Sequence, residues 1–115
     1  MTIPVTIIIA TLDDSLRFRA TLGTLTKFLT SGDEVLVINS GEHSVINIVA
    51  KHFPAMLCFV SEIKAPRNGV YGAHALGASR AKTQYIWFLN CGDLISESLS
   101  RSAFDAELYK ASGRS

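Results

Sequence analysis

Asn68-Gly-Val-Tyr-Gly-Ala-His-Ala-Leu-Gly-Ala-Ser-Arg-Ala-Lys-Thr-Gln-Tyr-Ile-Trp-Phe-Leu-Asn-Cys-Gly-Asp93 is the stretch that decides the fold. Its first half, residues 69–82, is rich in Ala and Gly and predicts a helix that packs closely on a sheet. Residues 83–90 follow with Tyr85, Ile86, Trp87, Phe88 and Leu89, the apolar run of a buried strand. A Gly turn then presents a lone carboxylate, Asp93. Open α/β sheets handle ligands at the carboxyl ends of their strands, so Asp93 stands where a metal or a metal-bound phosphate is met.

Upstream, residues 4–10 carry Val5, Ile7, Ile8 and Ile9, a β-branched run typical of a parallel strand buried on both faces. Asp13, Asp14 and Ser15 offer helix caps. Leu16, Leu22, Leu25, Phe28 and Leu29 recur at helical spacing and predict a helix of about four turns. Gly32 suits its left-handed stop. Residues 34–39 read as a second buried strand. Ser44 caps a helix that runs to about His52, with Pro54 beyond its end. Residues 56–60 read as a third strand, 61–68 as a loop, and 94–110 as a last helix with Leu99, Ala103, Phe104 and Leu108 towards the core. Strand and helix alternate four times with short connections, so the expected fold is one α/β domain over 1–115. It is a Rossmann-like three-layer sandwich on a mainly parallel sheet of about four strands.

Bulk properties narrow the function. The chain has 115 residues, is 48% hydrophobic and 18% charged, and has a mean hydropathy of +0.27. That suits a single folded core. A net charge of +1 gives no reason to expect a nucleic-acid partner. No apolar run reaches the roughly 18 residues of a membrane span, and no signal peptide is visible. Cys58 and Cys91 both sit in apolar strand-like runs, as buried thiols of a reducing compartment or as a disulfide between neighbouring strands. His43, His52 and His74 have no ligand spacing. A Gly-x-Gly-x-x-Gly after the first strand and a Gly-x-Ser-x-Gly elbow are both lacking, which disfavours dinucleotide binding and a serine hydrolase.

Order and spacing over residues 3–110 resemble the family-2 glycosyltransferases of GT-A fold, in their N-terminal half. Val5-Thr-Ile-Ile-Ile-Ala-Thr-Leu12 is similar to the family's opening "V-S-I-I-I-P-T-Y", Glu34-Val-Leu-Val-Ile-Asn-Ser-Gly41 to "E-I-I-V-V-D-D-G", and Leu89-Asn-Cys-Gly-Asp93 to the "L-N-S-G-D" form of the metal motif. The resemblance implies a nucleoside-diphosphate sugar donor, UDP-sugar favoured. It also implies a saccharide or lipid-linked hydroxyl acceptor, and a bacterial, cytoplasmic role in surface polysaccharide synthesis, peripheral to the inner membrane. Thr11 and Leu12 would border the base, and Asn39 and Ser40 would meet it. Arg67 and Asn68 would face the diphosphate, and Asp93 would hold Mn²⁺ or Mg²⁺. Ala10 stands for the family's Pro, and Asn39 and Ser40 for its two acids. Arg67, Gly72 and Ala75 replace polar positions around the scaffold residues Gly69, Tyr71, Ala73 and Gly77.

A full catalytic domain of that family is longer, and its missing part carries the acceptor site and the general base. Asp105 and Glu107 read as a solvated helix face. The alternative to an active transferase is therefore a catalytically inactive, binding or self-associating remnant of the fold, expected as a homo-oligomer. Asp13 and Asp14 also invite a phosphoacceptor reading. It fails because Phe59-Val60-Ser61 lacks the Asp it needs.

Overall fold

A computed structural model describes residues 2–67, 69–96 and 98–111. Four strands, β1 (Val5–Thr11), β2 (Glu34–Asn39), β3 (Val60–Lys64) and β4 (Tyr85–Asn90), form one sheet in the order β3-β2-β1-β4, every neighbouring pair parallel. The helices are α1 (Ser15–Leu25), α2 (Ile46–His52), α3 (Gly69–Arg80) and α4 (Arg101–Ala111).

Alternation along β1 explains the layers. Val5, Ile7 and Ile9 point into one core with Phe18, Leu22 and Leu25 of α1, Val49 of α2, and Leu99 and Phe104 from the α4 region. Ile8 points the other way, with Leu36 and Ile38, onto Ala73 of α3. The fold is a three-layer α/β sandwich, as the sequence predicts. Gly77 is what lets α3 lie so close: a Cβ there would meet Ile8 Cγ2 at 2.5 Å and Cδ1 at 2.9 Å. Gly77→Ala therefore sets a helix-propensity gain of about 1 kcal/mol against overpacking of roughly 1–3 kcal/mol. Ile8 is fully buried and has no room to retreat. We expect a net loss of about 1–2 kcal/mol in urea unfolding, and a stabilised variant would contradict the packing.

Several local expectations change. The third strand lies at Val60–Lys64, not at 56–60, because Pro54 opens a 3-10 turn through Met56. As an edge strand it accepts Ser61, Glu62 and Lys64, which hid it. The last helix begins at Arg101, not at 94, because serines hold the segment before it. Ser98 N–H donates to Ser96 Oγ, and Ser100 Oγ caps the helix by accepting from Ala103 N–H at 3.1 Å. Ala103 is exposed, and Leu16 is 74% exposed while Phe18 takes its place in the core. Cys58 is exposed rather than buried, and both cysteines are free thiols.

Asp105, expected on a solvated face, is buried. Arg101 explains it. Its guanidinium donates to Asp33 from Nη1 (2.5 Å) and Nη2 (2.9 Å), to Asp105 from Nε (3.0 Å), and to the carbonyls of Phe28 and Ile3. It lies 4.9 Å from the centre of the Phe28 ring. One side chain thus fastens α4 to the turn after α1, to the segment before β2 and to the N-terminal segment.

Candidate functional site

At the opposite end of the sheet, the carboxyl ends of β1, β2 and β4 border a cleft of about 280 Å³. Ala10, Thr11 and Leu12 supply one wall, Ser40 and Arg67 another, and Asn90 and Cys91 a third, with Ala73 of α3 behind. Parallel strands end here in short loops, so side chains from three segments converge without long-range design.

Backbone bonds hold the loops in register. Ser40 N–H donates to Thr11 O (3.0 Å) and Ala65 N–H to Asn39 O (3.0 Å). Ser40 Oγ reaches Pro66 O at 3.2 Å. The residue after Leu12 adds a staple. Asp13 adopts a left-handed backbone, φ 52°, and its carboxylate accepts from Glu42 N–H (2.9 Å) and His43 N–H (3.2 Å). Those bonds, with lesser help from the charges of His43 and Arg67, hold its carboxyl below the usual carboxylate range. At Gly41 the approach is close enough that a Cβ would lie 2.6 Å from Asp13 Cγ. Helix capping falls to Asp14 alone, whose Oδ1 accepts from Arg17 N–H.

Thr11, Leu12, Ser40 and Arg67, expected near a ligand, all line the cleft. Asn39 does not. It is 1% exposed, and its Nδ2 donates to His43 O (2.7 Å) and Glu62 Oε2 (2.5 Å), while its Oδ1 accepts from Gly41 N–H. Glu62 also accepts from Ser44 Oγ and Val45 N–H. Burial pushes the Glu62 carboxyl up, but the Asn39 and Ser44 bonds outweigh it and leave its pKa lowered. Neither Glu62 nor Asp13 was singled out from the sequence for these roles. Glu62 fell in the expected loop 61–68, and only its place in β3 gives it that role.

Asp93 sits beside the cleft, exposed. It closes the turn after β4: its Oδ2 accepts from Asn90 N–H at 2.7 Å, and Gly92 takes φ 99°. It is not the cap of α4, which begins eight residues later. Cys91 is half-buried, with Sγ 3.4 Å from Ala10 O. Burial pushes its thiol pKa up, and the charges of Asp14 and Asp93 add to that. Among the described residues no group of three His, Cys, Asp or Glu could hold a metal ion. A hard cation needs about six oxygens, so Asp93 would serve only as a single carboxylate beside oxygens from a diphosphate and water. Asn68 lies outside the described residues.

No family model matches the sequence, and no curated protein is significantly similar to it. Solved structures are similar in fold. TarS of S. aureus superposes with a TM-score of 0.72 over 96% of this chain and 20% of its own, at 19% identity. TarS 1–349 in complex with UDP gives 0.71 over 97% of this chain and 32% of its own, at 16% identity. The mannosyltransferase PcManGT from Pyrobaculum calidifontis, in complex with GDP-Man and Mn²⁺, gives 0.72 over 94% of this chain and 32% of its own, at 13% identity. The chain thus has a glycosyltransferase fold of GT-A type and spans about a fifth to a third of the length of these structures.

Proposed function

We propose that this chain is a donor-binding portion of a GT-A glycosyltransferase, with the nucleoside diphosphate of a sugar donor in the cleft at the ends of β1, β2 and β4. The cleft carries the proposal: Thr11, Leu12, Ser40 and Arg67, which the resemblance implies for the donor, converge there. That structures of similar fold hold UDP in one case and GDP-Man with Mn²⁺ in another supports it. Leu12, 48% exposed, and Ala73 give a base an apolar surface. Ser40 offers a hydroxyl. Arg67 brings a cation that pairs with phosphate oxygens. Asn39 acts from behind, by fixing the loop that carries Ser40.

When bound, a divalent cation would neutralise charge on the diphosphate leaving group. Transfer to a hydroxyl acceptor also needs a general base. Asp105 is committed to Arg101, and Glu107 pairs with Lys110 on an exposed face, so neither acid of the last helix is placed to act as that base. The product class we assign is a surface polysaccharide. No helix among the described residues is long and apolar enough to cross a membrane.

Calorimetric titration with UDP and with GDP, each with and without Mn²⁺, tests the proposal. Metal-dependent binding is expected. Arg67→Ala should weaken it by roughly 10-fold or more, the scale of a lost hydrogen bond to a charged group. Asp93→Ala should remove the metal dependence. No heat at millimolar nucleotide would overturn donor binding and leave a self-associating remnant of the fold.

A further inference from the structure

We infer that Asp13 is a positioning residue of the donor cleft, a brace whose carboxylate sets the gap between the wall at Leu12 and the wall at Ser40. The inference rests on the donor-binding reading above and concerns a side chain that does not itself line the cleft.

Asp13 holds an unfavourable backbone. Among the described residues it is the one non-glycine with a positive φ. Aspartate tolerates that region better than most side chains, yet the conformation is still disfavoured. Such strain persists where the surroundings impose it, and it concentrates at functional sites. What imposes it here is the loop between β2 and α2. Asp13 Oδ1 accepts from Glu42 N–H (2.9 Å) and His43 N–H (3.2 Å), and Oδ2 also accepts from Glu42 N–H (3.1 Å). Stability does not demand these bonds. Asp13, Glu42 and His43 are all exposed, and water serves exposed donors and acceptors nearly as well. The bonds fix a geometry instead.

That geometry is the width of the cleft. Leu12 precedes Asp13 on one wall, and Ser40 precedes Gly41 on the other. Gly41 lets the two loops meet, since a Cβ there would stand 2.6 Å from Asp13 Cγ and 2.7 Å from the Asp13 backbone N. Asn39 holds the same loop from the sheet side, with Oδ1 accepting from Gly41 N–H and Nδ2 donating to His43 O. The loop is thus gripped between a buried amide and an exposed carboxylate. Ser40 Oγ in turn donates to Pro66 O, next to Arg67. A loop released from Asp13 therefore moves the Ser40 hydroxyl and loosens the segment that carries the cation. Walls held in place beforehand spare a ligand the cost of ordering them.

Calorimetric titration with UDP and Mn²⁺, alongside hydrogen exchange and urea unfolding, tests the brace. Asp13→Gly removes the carboxylate and relieves the backbone strain together. Its Glu42 and His43 amides should exchange roughly tenfold faster. Its nucleotide affinity should fall roughly five- to tenfold, with the urea midpoint little changed. Asp13→Asn keeps a side-chain oxygen and suits a positive φ, so it should recover most of the affinity. A residue that served stability alone would lower the midpoint and leave the affinity of the folded protein unchanged. A native chain that binds no nucleotide would overturn donor binding itself, and the brace with it. A native chain that binds, with Asp13→Gly binding as tightly, would overturn the brace alone. So would a large fall in the Asp13→Gly midpoint, or a loss of affinity that Asp13→Asn fails to restore.

Discussion

Arg101→Met is expected to destabilise the domain by about 3–5 kcal/mol at neutral pH, the scale seen when one member of a buried ion pair is removed. Methionine keeps most of the volume and the contact with Phe28. What it removes is the fork. Asp33, with its side chain wholly buried, would keep only Thr30 N–H, Thr30 Oγ1 and Val5 N–H. Domains of this size hold only about 5–15 kcal/mol in total, so this one change takes a large share of it. Urea unfolding monitored by circular dichroism reads the loss directly. A change under about 0.5 kcal/mol, the size of an ordinary surface substitution, would mean that the latch is not holding α4.

The pH dependence gives that expectation a sign. Burial alone would raise the Asp33 carboxyl, but the Arg101, Thr30 and Val5 bonds win and its folded pKa is lowered. A lowered carboxyl contributes stability that is full above the unfolded value, about 3.9. The contribution drains away as pH falls through the folded value. In Arg101→Met the strongest opposing bond to burial is gone. The variant should therefore lose less than the native chain on acidification, and the gap between them should narrow towards pH 4 and below.

Which features were legible from sequence follows from what each one depends on. β1 and β2 announce themselves because strands with a layer on each side and a partner on each edge need uninterrupted apolar residues, and β4 carries such a run in Tyr85–Leu89 although it lies at an edge with Ile86 and Phe88 partly exposed. β3 has a neighbour on one side only, tolerates Glu62 and Lys64, and so resembles a loop. The cleft residues Thr11, Leu12, Ser40 and Arg67 were legible through the resemblance of the motifs that carry them, and the parallel topology, which gathers strand ends at one edge, brings them together. Pairings across the fold were not. Asp105 lies on a helix face that looks solvated until Arg101 and Asp33 converge on it. Asp33 sits 68 residues from Arg101 in the chain, and no periodicity reports such a distance. Asp13 resembles a cap by its place before a helix, yet its carboxylate turns to the β2 loop. Asn39 was read by position as a contact for the base. What fixes its orientation is Glu62, 23 residues away.

That last pair supports a sharper experiment. Asn39→Asp is expected to cost about 2–4 kcal/mol at pH 7, from a lost charge-assisted bond and two apposed carboxylates. Asn39 Nδ2 lies 2.5 Å from Glu62 Oε2, so the new acid would set one carboxylate oxygen against another where the side chains are buried. His43 O would lose its donor as well. One of the two acids must then take up a proton, with its folded pKa raised above the unfolded value of about 4. The penalty is full above that raised value and recedes as pH falls towards 4, the reverse of the trend for Asp33. Adding Glu62→Gln to Asn39→Asp restores a donor facing an acceptor. The double variant should recover about 1–3 kcal/mol over the single one, a coupling that a double-mutant cycle in urea isolates. The same variants divide two roles for Asn39. If its amide serves the ligand directly, an acid there should change nucleotide affinity even in the rescued pair. If Asn39 only fixes the loop that carries Ser40, affinity should fall in the single variant and return with stability in the double one. The geometry favours the second result, because every polar atom of the Asn39 side chain already has a partner within the protein.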